Sequence, residues 1–333
     1  MDFRLQTHLD NVNDSLSRQF ALNVTTPEGF ELWQEQFRPA LADILRIKNR
    51  IPEGAPETEL LSTVDRGDYI EEKHCLFLDD VPIPMYLLIP KARPPYKAIL
   101  AFHGHGIGVQ QILGNYADEA TRQKMTAADE NFAQQFAEDG YLVCAIEQQG
   151  FGQRVTEQVE NIRSCRHLAF QYMMSGKSLA GERVREGMAA INYLLSRNDV
   201  ESDFLACVGH SGGATTALFL SALDTRLTET VISGYFCDYQ HSILGMPHCE
   251  CNYVPDLLTL ADIGDIASLI APRNLLLING RNDHIFPYEG FHKPYQTLQT
   301  AYHLMASDNN LSAYTHDNGH QFNCAATLNW LNS

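Results

Sequence analysis

The chain of 333 residues is 44% hydrophobic and 20% charged, which is enough apolar content for one large domain or a domain with an extension. Acidic residues outnumber basic ones by 41 to 24, for a formal charge of −17, and this argues against nucleic acid or an anionic membrane as partner, since both require Lys/Arg patches. No run approaches the ~20 apolar residues of a membrane span, and the opening residues lack the apolar stretch of a secretory leader, so a cytoplasmic location is expected.

Residues 1–60 read as a polar helical extension, and 61–333 as the main domain. In the extension Phe30, Trp33, Phe37, Leu41 and Leu45 recur at helical spacing, and Pro39 predicts a kink or a break into two helices. Residues 81–89 read as an edge strand, their prolines suiting an edge. Nearly continuous apolar runs follow at 97–102, 141–146, 204–208, 230–234 and 274–279, with a shorter one at 311–315. Such runs suit strands buried on both faces of a parallel sheet. Helical patterns lie between several of them, at 131–138, around Val184 to Leu195, and at 213–223. Strands alternating with helices predict a mostly parallel α/β sheet flanked by helices. The long connections 155–180 and 236–260 are candidate lids or pocket walls.

The strongest chemical signal is Gly209-His210-Ser211-Gly212-Gly213 between an apolar run and a helical one. That strand–turn–helix context is what a nucleophile elbow needs: the tight turn lifts the Ser211 hydroxyl clear of the sheet at a helix N-terminus. A serine hydroxyl needs a base, and the base an orienting acid. Asp283 follows the run 274–279, at the strand end where such sheets place their sites, while Asp262 and Asp265 are weaker rivals in a helix-like stretch. His320 follows Gly319 in a loop after the last strand, and His316 is its rival at the strand end. An oxyanion hole needs two backbone N–H groups. Gly212 supplies one by position, and His105 in the loop His103-Gly104-His105-Gly106 the other. A dinucleotide loop is the competing reading of those glycines, but their spacing does not match that fingerprint. His103, Glu147 and His248 are candidates for the pocket wall, with a Glu147–Arg154 ion pair as the alternative role of Glu147.

Eight cysteines in a chain with no visible leader read as reduced thiols rather than a disulfide framework. The cluster His248-Cys249-Glu250-Cys251 invites a metal reading, but its C-x-C spacing is tight and no second Cys/His pair is arranged like a ribbon or finger. The segment therefore reads as a structural loop, with no metal and no cofactor expected.

These motifs resemble bacterial α/β-hydrolases of the acetyl xylan esterase-like and dienelactone-hydrolase-like group. Besides the motifs above, the resemblance rests on Gly150-Phe-Gly-Gln-Arg154, Gly181-Glu-Arg183, His248-Cys249, Asn252-Tyr253, the stretch Ala261–Ala267, Ala271-Pro-Arg273 and Ile285-Phe-Pro287, and it runs from about Trp33 to the C-terminus. It implies the α/β-hydrolase fold, Ser211, Asp283 and His320 as catalytic triad, and hydrolysis of short-acyl carboxylic esters without a cofactor. The implied partner is a small-molecule ester, an acylated sugar among the candidates. Two departures stand out. Gly212 replaces the Gln usual after the nucleophile in the cephalosporin-deacetylase type of acetyl xylan esterase, and serine stands where strict dienelactone hydrolases have cysteine. Rival readings are a prolyl-oligopeptidase-like serine peptidase and a non-catalytic binding protein that keeps the fold.

Overall fold

A computed structural model describes residues 3–156 and 162–333. Among these residues nine strands form one sheet: β1 (Thr58–Asp65), β2 (Tyr69–Leu78), β3 (Val81–Pro90), β4 (Tyr96–Phe102), β5 (Leu142–Ile146), β6 (Val200–His210), β7 (Glu229–Ser233), β8 (Asn274–Gly280) and β9 (Leu311–His316). Their spatial order is β1-β2-β3-β5-β4-β6-β7-β8-β9. The first three pair antiparallel, β3 pairs antiparallel with β5, and every pairing from β5 through β9 is parallel. This is the α/β-hydrolase fold, with a mostly parallel sheet flanked by helices.

The parallel strands are apolar because helices cover both sheet faces. Alternate residues of β4, Ala98, Leu100 and Phe102, join one core with Val184, Met188 and Leu218, while Ile99 and Ala101 join a second core with Phe132 and Phe136. Strands β1 and β2 have no counterpart in the sequence reading. Strand β1 is mostly exposed and shows no inward–outward alternation, and the buried positions of β2 include Glu71 and His74, so neither carries a hydrophobic period.

Of the two outcomes expected at Pro39, a kink or a break, the break does not occur: one helix, Pro27–Ile44, runs through it. One face buries Phe30, Trp33, Phe37 and Leu41, and Phe20 stacks on Phe37 with centroids 4.7 Å apart. That burial, about 2 kcal/mol for each large side chain, offsets the one backbone hydrogen bond that a proline removes. Ahead of it, the amides of Gln19 and Phe20 donate to the carbonyls of Thr259 and Leu260, which fastens the N-terminal segment to the region after β7. The connection 155–180 is not a plain loop: it forms the helix Ile162–Met174, although its residues 157–161 lie outside the described residues. Among the described residues no helix is long and apolar enough to cross a membrane.

Candidate active site

Strand β6 ends at His210 and the helix Gly212–Leu223 starts two residues later, so the chain must reverse at Ser211. It does so with Ser211 at φ 55° and ψ −123°, a conformation that costs a non-glycine residue about 1–3 kcal/mol. Neighbouring turns hold the strain. The Ser211 amide donates to the carbonyl of Ser233 at 2.8 Å, and its carbonyl accepts from Ala214 at 2.9 Å. A side chain at Gly209 would run into the backbone of Gly213 and Ala214, so strand and helix approach as closely as they do only because glycine stands there. Ser211 is thus only partly buried, at the N-terminus of a helix of 12 residues, where the dipole favours negative charge.

Asp283 lies in the turn after β8. One carboxylate oxygen accepts from the amides of Ile285 at 2.7 Å and Phe286 at 3.0 Å. The other meets Nδ1 of His320 at 2.7 Å. A carboxylate only accepts, so the proton of a neutral His320 sits on Nδ1 and its Nε2 is left as a base. Burial pushes the Asp283 carboxyl up, but the hydrogen bond and charge of His320, with the two amides, outweigh it and hold the group below the ordinary carboxylate range. Phe286 stacks on the His320 ring at 5.8 Å and His210 packs beside it at 4.8 Å. Gly234, next to the Ser233 that holds the Ser211 amide, lies under both rings: a Cβ there would sit 2.9 Å from His210 and 3.1 Å from His320.

The rival residues are used otherwise. Asp262 and Asp265 form the capping box of the helix Ile263–Ser268. His316 is buried at the end of β9, with neither ring nitrogen hydrogen-bonded among the described residues.

The loop after β4 lies against the elbow. A Cβ on Gly104 would come 3.1 Å from Cβ of Ser211, and one on Gly212 would come 2.6 Å from Nδ1 of His105. The imidazole of His105 therefore occupies the space above Gly212, which gives a physical reason for glycine at that departure. A cavity of about 540 Å³ opens here, lined by Ser211, Gly212, His105, His248, Ile285 and Phe286 among others. Arg166 and Glu250, paired at 3.1 Å, join the helix Ile162–Met174 to the turn Glu250–Asn252 on the cavity wall.

Of the three wall candidates, His248 lines this cavity, while His103 and Glu147 do not. His103 is 0% exposed, and its Nε2 accepts from the amide of Gln148 at 3.1 Å. Glu147 is 1% exposed, and its carboxylate accepts from the amide of Val109 at 2.8 Å. Both hold loops together behind the site. Their polarity suggested a pocket, but it serves buried backbone donors instead. The expected Glu147–Arg154 ion pair is also replaced: Arg154 forms a fork with both oxygens of Glu186, at 2.6 and 2.7 Å.

Residues 248–251, expected as a structural loop, also take part in a side-chain cluster. The ligating atoms of His105, Cys165, Cys249 and Cys251 all lie within 4.8 Å of one another. Cys165 and Cys249 sulfurs are 3.2 Å apart, and Cys251 Sγ is 3.4 Å from Nε2 of His105. Sequence spacing could not find this group, because its missing members lie 84 and 146 residues away in the chain. The only local signal was an unusual density of Cys and His.

A nucleophile-type elbow on a parallel sheet, with an Asp–His pair beyond later strands, defines an α/β-hydrolase. Consistently, residues 6–327 match the Abhydrolase family, and the chain belongs to it. It is 28% identical over 270 residues to YtaP, a candidate hydrolase of Bacillus subtilis, covering 78% of this chain and 85% of that one. Among solved structures it is similar to a candidate acetyl xylan esterase of Bacteroides fragilis, with TM-score 0.82, 18% identity, and 100% and 95% of the two chains covered. It also resembles a glucuronoyl esterase from Solibacter usitatus, with TM-score 0.66, 16% identity, and 95% of each chain covered.

Proposed function

We propose that the protein is a serine hydrolase of short-acyl carboxylic esters, acting through Ser211, His320 and Asp283. The observation that carries the reading is the Asp283–His320 hydrogen bond of 2.7 Å beside a serine held at φ 55° on a helix N-terminus. In this mechanism Ser211 attacks the ester carbonyl while Nε2 of His320 takes its proton. Asp283, kept ionised, steadies the imidazolium. The amides of Gly212 and His105 receive the oxyanion. His320 then protonates the leaving alcohol, and water, activated by the same nitrogen, releases the acid. The triad itself asks for no metal or organic cofactor.

The acyl size is read from the wall of the cavity. A space of about 540 Å³ whose wall includes His248, Arg166 and Glu250 suits a small acyl group with a hydroxylated alcohol. The names of the similar structures, acetyl xylan esterase and glucuronoyl esterase, support an ester of a sugar. The test is kcat/KM across p-nitrophenyl acetate, butyrate, octanoate and palmitate, with an aminoacyl anilide alongside. Acetate or butyrate should be the best substrate and the anilide should be inert. A maximum at octanoate or beyond would refute the short-acyl reading, and anilide turnover exceeding ester turnover would point to a peptidase.

A further inference from the structure

Three separate segments meet beside the oxyanion loop. His105 comes from the loop after β4, Cys165 from the helix Ile162–Met174, and Cys249 and Cys251 from the turn around Glu250–Asn252. Their four ligating atoms fall within 4.8 Å of one another, with 3.2 Å between the sulfurs of Cys165 and Cys249 and 3.4 Å between Cys251 Sγ and His105 Nε2. A tetrahedral ion with sulfur at ~2.3 Å would hold its thiolates about 3.8 Å apart, within the span seen here.

The charge around the cluster is a second, independent observation. Arg183 is 3% exposed, a cation that burial makes costly unless it is paired. Among the described residues no carboxylate meets it. Its guanidinium donates to the carbonyl of Gln149 at 2.6 Å and to Cys165 Sγ at 3.2 Å, packs over Phe151 at 5.1 Å, and leaves Nε without a partner. A divalent ion with three thiolates and a neutral imidazole carries a net charge of −1, which is the counter-charge this arginine lacks.

We propose that His105, Cys165, Cys249 and Cys251 bind a zinc ion. Three sulfurs and one imidazole nitrogen form a soft donor set of the structural zinc type. All four positions are filled by protein, so the ion holds no reactive water. On binding, the three thiols release three protons, and no oxidant is required. The ion ties the loop of His105 to the two segments that wall the cavity. That role in catalysis rests on the proposed ester-hydrolase reading, but the zinc site itself does not. It replaces the expectation, drawn from spacing alone, that this chain holds no metal.

The experiment is metal analysis of protein purified under reducing conditions without a metal-affinity step, then stripped with a chelator and reloaded with Zn²⁺ or Co²⁺ alone. The wild type should carry about one zinc per chain. The Cys249→Ser/Cys251→Ser double variant should lose it, and Cys75→Ser, outside the cluster, should keep it. Because the double variant can fail by misfolding, the cobalt form of the wild type supplies a second reading. It should show a thiolate-to-cobalt charge-transfer band with tetrahedral d–d absorption. Absence of stoichiometric metal after reloading, a cobalt spectrum without thiolate bands, metal retained by the double variant, or a Cys165–Cys249 disulfide in the reduced preparation would each overturn the proposal. Metal content is read without substrate, so its failure is distinct from failure of the ester-hydrolase reading.

Discussion

His210, the residue before the elbow serine, is enclosed beneath the His320 ring, with its Nδ1 3.1 Å from the Ser233 hydroxyl. Burial first, then the neighbouring charge of His320, lowers its pKa well below the ordinary 6.5, and Asp283 only partly opposes them. The folded protein therefore keeps His210 neutral where the unfolded chain would protonate it. Below about pH 6.5 the unfolded state binds the extra proton, so stability is lost as pH falls through that value. His210→Gln should flatten the acid limb of urea-unfolding stability between about pH 7 and 5, by up to about 1.4 kcal/mol per pH unit. Equal slopes in wild type and variant would contradict this. At this scale, chain order and strand ends were enough to point to Asp283 and His320, which the fold then joins by a hydrogen bond. They were not enough for His103 and Glu147, because a loop residue's sequence does not say whether its polar atoms face a cavity or a buried amide. Cys165 was illegible for a different reason: its partners lie in other segments.

The helix that carries Ser211 at its start must also be closed at its end, where carbonyls lack intrahelical donors. Arg273 supplies them: Nη2 donates to Ser221 at 2.5 Å, and Nη1 to Asp224 at 3.1 Å and Leu227 at 2.8 Å. Arg38, from the helix Pro27–Ile44, adds a bond to the carbonyl of Ala222 at 3.2 Å. Burial and then the nearby Arg38 bring the pKa of Arg273 down to about 10, which leaves it charged at neutral pH. Arg273→Met should cost about 2–4 kcal/mol in urea unfolding, since several buried acceptors lose their donor, and Arg273→Lys should recover part of it. A loss below about 0.5 kcal/mol would show that water or Arg38 takes over. In the sequence Arg273 was only one residue of a family motif, and its task becomes visible when the helix end is seen. The same limit applies to whole elements. Strands β4 to β8 announced themselves as apolar runs because both faces of their buried stretches are covered, and the mostly half-buried or exposed β9 only as a shorter run. Strands β1 and β2 did not, and of the kink or break that Pro39 predicted, a buried aromatic face prevents the break.

Across the whole molecule, the parallel arrangement sends β6, β8 and β9 in one direction, so residues far apart in the chain arrive at one edge. That is how Ser211, Asp283 and His320, each picked out by its place after an apolar run, come to one edge, while of the three wall candidates only His248 faces the cavity. The wall is built from the segments between the strands, whose contacts follow no period. The charge of −17 has no visible part in this arrangement. The central claim is that Ser211 is the nucleophile, and covalent capture tests it most directly. Intact-protein and peptide mass spectrometry after treatment with a fluorophosphonate should find one adduct per chain, on the peptide containing Ser211. The adduct should be absent in Ser211→Ala and form at least about 10³-fold more slowly in His320→Ala. An adduct on another residue, or labelling of Ser211→Ala at the wild-type rate, would contradict the account.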